Sequence, residues 1–209
     1  MTEVALRRYT NLAAAIHTLR HKKIALLDPA SWDDRNDAYF LNRYKKRKPA
    51  KTVLALCFAL APETYHHWRI FSHGTDGVCI EFNKDKLLYA LRGCKELRSE
   101  PVVYKEIKEV RATRPNVDEL PFLKRYPYRD EREFRLIYTD TNEALDVKEL
   151  DIRIDCIRRV TLSPWLHTSL SESVKATLSE IEGCKEIPIF RSQLIEYEKW
   201  KRVARGEEP

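Results

Sequence analysis

A chain of 209 residues, 43% hydrophobic and 33% charged, has the composition of a soluble globular protein and length for one large domain or two small ones. These figures exclude a disordered chain, and no stretch approaches the roughly 18 apolar residues of a membrane span. The formal charge of +6 favours an anionic partner. The start, MTEVALRRYT, lacks a signal-like apolar segment, and the five cysteines (57, 79, 94, 156, 184) form no C-x-x-C pair. Both features imply a reducing, cytoplasmic setting.

VALRRYT reads as a strand, and Asn11 as the cap of a helix with Leu12, Ala15, Ile16 and Leu19 on one face. KIALLD is a second strand, stopped by DPASWDDRND. NDAYFLNRYKKRK is helical, with Phe40, Leu41 and Tyr44 inward and the basic run outward. TVLALCFAL suits a strand covered on both faces, and Pro62 opens a helix over PETYHHWRIF. GVCIEF is a strand with Val78, Ile80 and Phe82 on one face and Cys79 and Glu81 on the other. KDKLLYALRG is a helix capped by Gly93, EPVVYKE a strand, and VRATRPNVDELPFLKRYPY a long irregular loop. REFRLIY, ALDVKEL and DCIRRVTLSP are strands, and a helix follows with a Ser169–Glu172 capping box and an end at Gly183. IPIF is a last strand and SQLIEYEKWKRVAR a last helix. The order predicts one α+β domain over residues 1–209 with a mixed, mainly antiparallel sheet flanked by helices. Residues 166–209 add helix, strand and helix to a core over 4–165, the stretch covered by the family resemblance given below.

Chemistry concentrates in a few places. RRYTNL runs from a strand into a helix N-terminus, where free N–H groups favour anions. SWDDRND is explained by turns and caps, although Trp32 beside Asn36 and Asp37 makes a cup for a flat ligand. His66, His67 and His73 lack metal-ligand spacing, so no metal is predicted; either Trp68 and Phe71 build a pocket wall with His67 or His73 as a polar contact, or Trp68 belongs to the core, its commoner place. Arg43, Lys45, Lys46, Arg47 and Lys48 form the densest basic run, which is either a solvated helix face or a phosphate contact. In YRDEREFRLIY, an extended chain puts Glu131, Glu133, Arg135 and Ile137 on one face. Such carboxylates are either paired structurally or placed for chemistry at an anomeric carbon.

LRRYTNL, KIALLDPASWDDRND, LALCFAL, HHWRIFSHGTDGVCIEF, PVVYKE, YRDEREFRLIY and CIRRVTLSP follow one another in an order similar to the prokaryotic family called domain of unknown function 2971. The match is most specific at Asn36-Asp37, at Trp68 through GVCIEF, and at Glu131, Glu133 and Arg135. This chain has Ala38 where that family often has Pro, and Ile70-Phe71 where it often has Tyr-Ala. The strand-helix-strand opening and the late Glu-x-Glu strand also resemble the ADP-ribosyltransferase fold. That resemblance implies an enzyme using NAD as substrate, with Arg8 or Tyr9 near the nucleotide and Trp68 flanking the nicotinamide. Glu133 would stabilise an oxocarbenium-like transition state and Glu131 would orient the acceptor. The expected site is therefore Glu131, Glu133 and Arg135 for catalysis and Arg8, Tyr9, Asn36, Asp37 and Trp68 for the nucleotide.

The leading reading is an NAD-using, ADP-ribosyltransferase-like bacterial toxin or defence effector. The competing reading is a non-catalytic module that binds nucleic acid or a protein through the basic helix, and a third is hydrolysis of a nucleotide or glycoside by the same carboxylates. No membrane partner is expected.

Overall fold

The computed structural model describes residues 3–72 and 74–208. Strand β1 (Ala5–Asn11) leads into helix α1 (Leu12–His21), where the Asn11 side chain accepts from the Ala14 N–H at 2.8 Å. Then come β2 (Lys23–Leu27), α2 (Arg35–Arg47), β3 (Thr52–Ala59), α3 (Tyr65–Phe71), β4 (Gly77–Asn83) and α4 (Lys84–Leu91). The second half holds β5 (Leu97–Pro101), β6 (Val103–Lys105), α5 (Ile107–Ala112), β7 (Leu123–Arg125) and β8 (Glu133–Asp140). The chain closes with β9 (Val147–Asp151), β10 (Ile157–Leu162), α6 (Thr168–Ser179), β11 (Ile189–Arg191) and α7 (Glu198–Ala204).

The fold is α+β: nine of these strands form one mixed sheet flanked by helices. Its order is β11-β10-β4-β1-β3-β2-β9, with β8 lying on β3 and β5 on β8; only β10–β11 is parallel. Alternation along the strands sets the two faces. One face carries Leu54, Leu56 and Phe58 of β3, Phe134, Leu136 and Tyr138 of β8, and Val78, Ile80 and Phe82 of β4; it is the main core, closed by α1 and α4. On the opposite face Leu41 and Tyr44 of α2 pack with Leu120 and Phe122 against Val53, Ala55 and Ile137. Burying these side chains supplies the main driving force, at about 25 cal/mol per Å² of apolar surface removed from water.

Several local expectations are corrected. Helix α3 starts at Tyr65, not at Pro62, because Thr64 supplies the cap by accepting from the His67 N–H at 3.1 Å. Arg92 ends α4 in a right-handed conformation, so Gly93 is not a left-handed cap. His167, not Ser169, caps α6, and Gly183 lies past that helix's C-cap at Glu180. EPVVYKE is two strands, β5 and β6. The expected irregular loop contains α5, β7 and two short 3-10 turns. Among the described residues no helix is long and apolar enough to cross a membrane.

Candidate active site

The sheet parts in its middle. On the edge of β3 away from β8, β1 pairs only through Arg7–Ala59 and β2 only through Leu27–Ala55. Among the described residues, 56–58 have no register partner on that edge. Arg8 reaches into the gap and donates to the Cys57 carbonyl at 3.3 Å. Above lies a cleft of about 770 Å³, within the usual size range of small-molecule sites. Its walls are Arg7 to Asn11 of β1, Trp32, Asp33, Asp34 and Asp37 before and in α2, and Ile70 to Ser72 at the end of α3. Cys57 to Ala59 form the floor, and Lys124, Tyr128, Glu131 and Glu133 close the far side. Facing the cleft β3 offers Cys57 and Ala59, and these small side chains leave room above the sheet.

A buried ionic cluster forms the far wall. Arg135, 0% exposed, donates through Nε to Glu133 Oε1 at 2.7 Å and through Nη2 to Glu133 Oε2 at 2.9 Å. Its other edge grips both oxygens of Asp37, Nη1 at 2.9 Å and Nη2 closer still, and Nη1 also donates to the Pro121 carbonyl at 2.8 Å. Lys124 Nζ lies 2.6 Å from Glu131, 3.2 Å from Glu133 and 3.5 Å from Asp37. Three carboxylates thus share two cations, and the surplus negative charge sits beside the cleft.

Burial would raise the Glu133 pKa, but Arg135 and then Lys124 override it and hold the group at about 2. Glu131 lacks the guanidinium fork, and burial pushes it up to about 7 against the pull of Lys124. Burial likewise lifts Asp37, opposed by Arg135. It lowers Arg8, which Cys57 and Glu133 pull the other way, and raises the Cys57 thiol well above its ordinary value. Tyr9 is raised by burial too; its hydroxyl has no hydrogen-bond partner among the described residues. The wall therefore carries one carboxylate fixed as an anion and one able to exchange a proton near neutrality.

The structure brings Arg8, Tyr9, Asp37, Glu131 and Glu133 to one cleft. Glu131 arrives differently from the sequence expectation. It ends a 3-10 turn (Tyr126–Glu131), and Arg132 at φ 43° and ψ 54° breaks the extended chain before β8 begins. Arg135 does not line the cleft; it lies behind Glu133 with the Trp32 ring 5.2 Å away. Trp68 does not reach it either. The indole is 0% exposed, donates to Glu63 at 2.6 Å and meets the Tyr9 ring edge-on at 5.2 Å. Asn36 is exposed and turned to Asp34, at 3.1 Å. Lys48 of the basic run pairs with Asp118 at 2.8 Å, while Arg43, Lys46 and Arg47 are exposed. His73 lies outside the described residues. Sequence reasoning missed Lys124 and Tyr128, which fall in the supposed loop; the alternating small residues of LALCFAL were the available sign of an open floor.

Among the described residues no group of three or more His, Cys, Asp or Glu side chains is arranged to hold a metal ion. No family model and no curated protein matches the chain. The fold is similar to solved structures of Thermus sp. 2.9 DarT. In complex with NAD+ that protein shares 10% identity, with 92% of this chain and 97% of that chain covered, at a TM-score of 0.47. In complex with ADP-ribosylated ssDNA the figures are 11%, 92%, 96% and 0.49. With carba-NAD+ they are 12%, 93%, 97% and 0.44.

Proposed function

We propose that the cleft binds NAD and transfers its ADP-ribose to an acceptor, as the fold-level resemblance to ADP-ribosyltransferases implies. The observation that carries the reading is the pair Glu131 and Glu133, held on either side of Lys124 at the wall of a cleft with Arg8 opposite. Departure of nicotinamide breaks the ribose C1′–N bond, the bonding electrons leaving with the ring, and positive charge develops on the ribose. Glu133, an anion at any working pH, stabilises that charge, as carboxylates do at other anomeric centres. The acceptor oxygen or nitrogen then bonds to C1′ and gives its proton to Glu131. Arg8 and Lys124 supply positive charge for the diphosphate, and the Tyr9 and Tyr128 rings supply walls for flat groups. Arg135 and Asp37 hold Glu133 rather than touch the ligand. Water as acceptor would turn the same chemistry into hydrolysis. On this reading the protein works in the cytoplasm, where NAD is available, as a toxin or defence effector, and the resemblance to domain of unknown function 2971 describes the pattern of residues that builds the cleft.

The test is thermal unfolding with and without NAD, followed by nicotinamide release from native protein and Glu131→Gln. NAD at about 100 times its Kd adds about 2.7 kcal/mol, a shift of a few degrees. Glu131→Gln should keep that shift and lose turnover about 100-fold or more. No shift at millimolar NAD overturns the reading.

A second reading rests on Arg43, Lys46 and Arg47, exposed on the outer face of α2, with Lys45 beside them. It makes the protein a nucleic-acid binder whose affinity falls steeply with salt, by about 0.9 log unit per log unit of salt for each phosphate neutralised on duplex DNA. Neutralising Arg43, Lys45, Lys46 and Arg47 together should flatten that slope.

A further inference from the structure

His67 has no role in the transfer chemistry, yet it is 1% exposed and lies between the cleft's aromatic wall and its carboxylates. Its ring stacks on Tyr9 at 5.5 Å and 15°, and on Phe71 at 5.9 Å and 23°; both neighbours line the cleft. The ring's polar atoms run along a defined path. Thr64 Oγ1 accepts from the His67 backbone N–H at 3.1 Å, so its hydroxyl hydrogen is free to donate to Nδ1, 2.6 Å away. Nδ1 is then the acceptor and Nε2 carries the hydrogen. Nε2 points to the Glu131 carbonyl at 3.4 Å. Burial lowers the pKa of the ring, which favours this neutral form.

That carbonyl occupies a junction that needs fixing. Glu131 ends a 3-10 turn, where carbonyls lack partners from their own helix, and the next residue is left-handed. Two of the junction's other anchors are the Leu60 N–H on the Arg132 carbonyl at 2.8 Å and Tyr104 Oη, which accepts from the Glu133 N–H at 2.8 Å. Neither touches Glu131 itself.

We propose that His67 is a positioning residue: its neutral imidazole, set in one tautomer by Thr64, fixes the Glu131 backbone and ties that carboxylate to the Tyr9–Phe71 wall. What Glu131 then does depends on the transferase reading; where it is held does not. A misplacement on the order of 1 Å at a reacting group costs up to about 100-fold in rate, so the tie acts on turnover rather than on ligand affinity.

The experiment uses the full chain with ¹⁵N-labelled histidine and ¹³C-labelled glutamate. Native His67 should show the Nε2–H tautomer at neutral pH. His67→Phe keeps a ring between Tyr9 and Phe71 but removes the donor. It should move the Glu131 carboxyl resonance, leave that of Glu133 in place, and lower kcat for NAD consumption about 10-fold with KM within about twofold. Thr64→Val, which frees the tautomer without touching the ring, should move the Glu131 resonance in the same direction by less. An Nδ1–H tautomer in the native protein, or a Glu131 resonance unmoved in both variants, overturns the proposal. Failure of the native protein to consume NAD overturns the transferase reading alone, and the resonances still decide the role of His67.

Discussion

Two ionic clusters lie on the same face of the sheet. A single cross-strand row runs Arg159, Glu81, Arg7, Ala59, Glu133 over β10, β4, β1, β3 and β8. At one end Glu81 faces three arginines, Arg7 at 2.8 Å, Arg159 at 3.1 Å and Arg158 at 3.7 Å. At the other end three carboxylates, Asp37, Glu131 and Glu133, share Lys124 and Arg135. The first cluster has spare cations whose side chains stand in water, Arg159 at 44% and Arg158 at 39% exposure. The second has spare anions with almost no water. The same residue types thus serve as a cross-strand brace in one place and as the buried wall of a cleft in the other, and the difference is solvent.

The comparison breaks most severely at Arg135. Arg135→Leu leaves Asp37 and Glu133 buried without their partner and should cost roughly 3–5 kcal/mol in guanidinium unfolding. A cost below 1 kcal/mol would show that the cluster is hydrated.

Next in size are the pH effects, which run in opposite directions for the two glutamates. Glu133, held at about 2 against an ordinary 4.5, stabilises the fold above pH 4.5, and that gain is lost as pH falls through about 2. Glu131, raised to about 7, contributes fully below pH 4.5 and loses its contribution as pH rises through 7. Denaturant titrations from pH 2 to 8 should therefore lose about 3 kcal/mol of acid sensitivity in Glu133→Gln. Glu131→Gln should instead lose the decline between pH 4.5 and 7. Parallel profiles for native and variant proteins would contradict the assignment. Because Glu133 also holds Arg135, Glu131→Gln is the cleaner test of catalysis, although sequence reasoning pointed to position 133.

The smallest effect belongs to the other cluster. Arg159→Ala removes a half-exposed partner of a glutamate that keeps Arg7, and should change stability by at most about 1 kcal/mol, less in high salt.

How legible this was in the sequence depended on how local each cause is. Strand β4 alternates as expected because its side chains obey a two-residue period, and Asn11 caps α1 because the cap bond spans three residues. Glu133 and Arg135 share a face for the same reason. Glu131 reaches the cleft although its strand does not extend to it, since a left-handed Arg132 is invisible to any alternation rule. Trp68 was expected at the nicotinamide only through the resemblance to ADP-ribosyltransferases; the Glu63 carboxylate five residues earlier holds its indole in the core. Lys124 was missed because its meaning lies in Asp37, Glu131 and Glu133, which only the tertiary fold brings within 3.5 Å.

The fork of Arg135 between Asp37 and Glu133 has a consequence for how such a sequence can drift. A lineage that lost the arginine alone would strand two carboxylates in a dry interior, and one that lost either acid would leave the guanidinium half-paired. Each single step leads downhill in stability, so the trio is replaced together or kept together. Asn36, next door and turned to solvent, carries no such debt to its neighbours and is free to wander. Among diverging copies of this chain, positions 37, 133 and 135 should therefore change as one character, a signature that would mark the cleft even where the rest of the sequence had become unrecognisable.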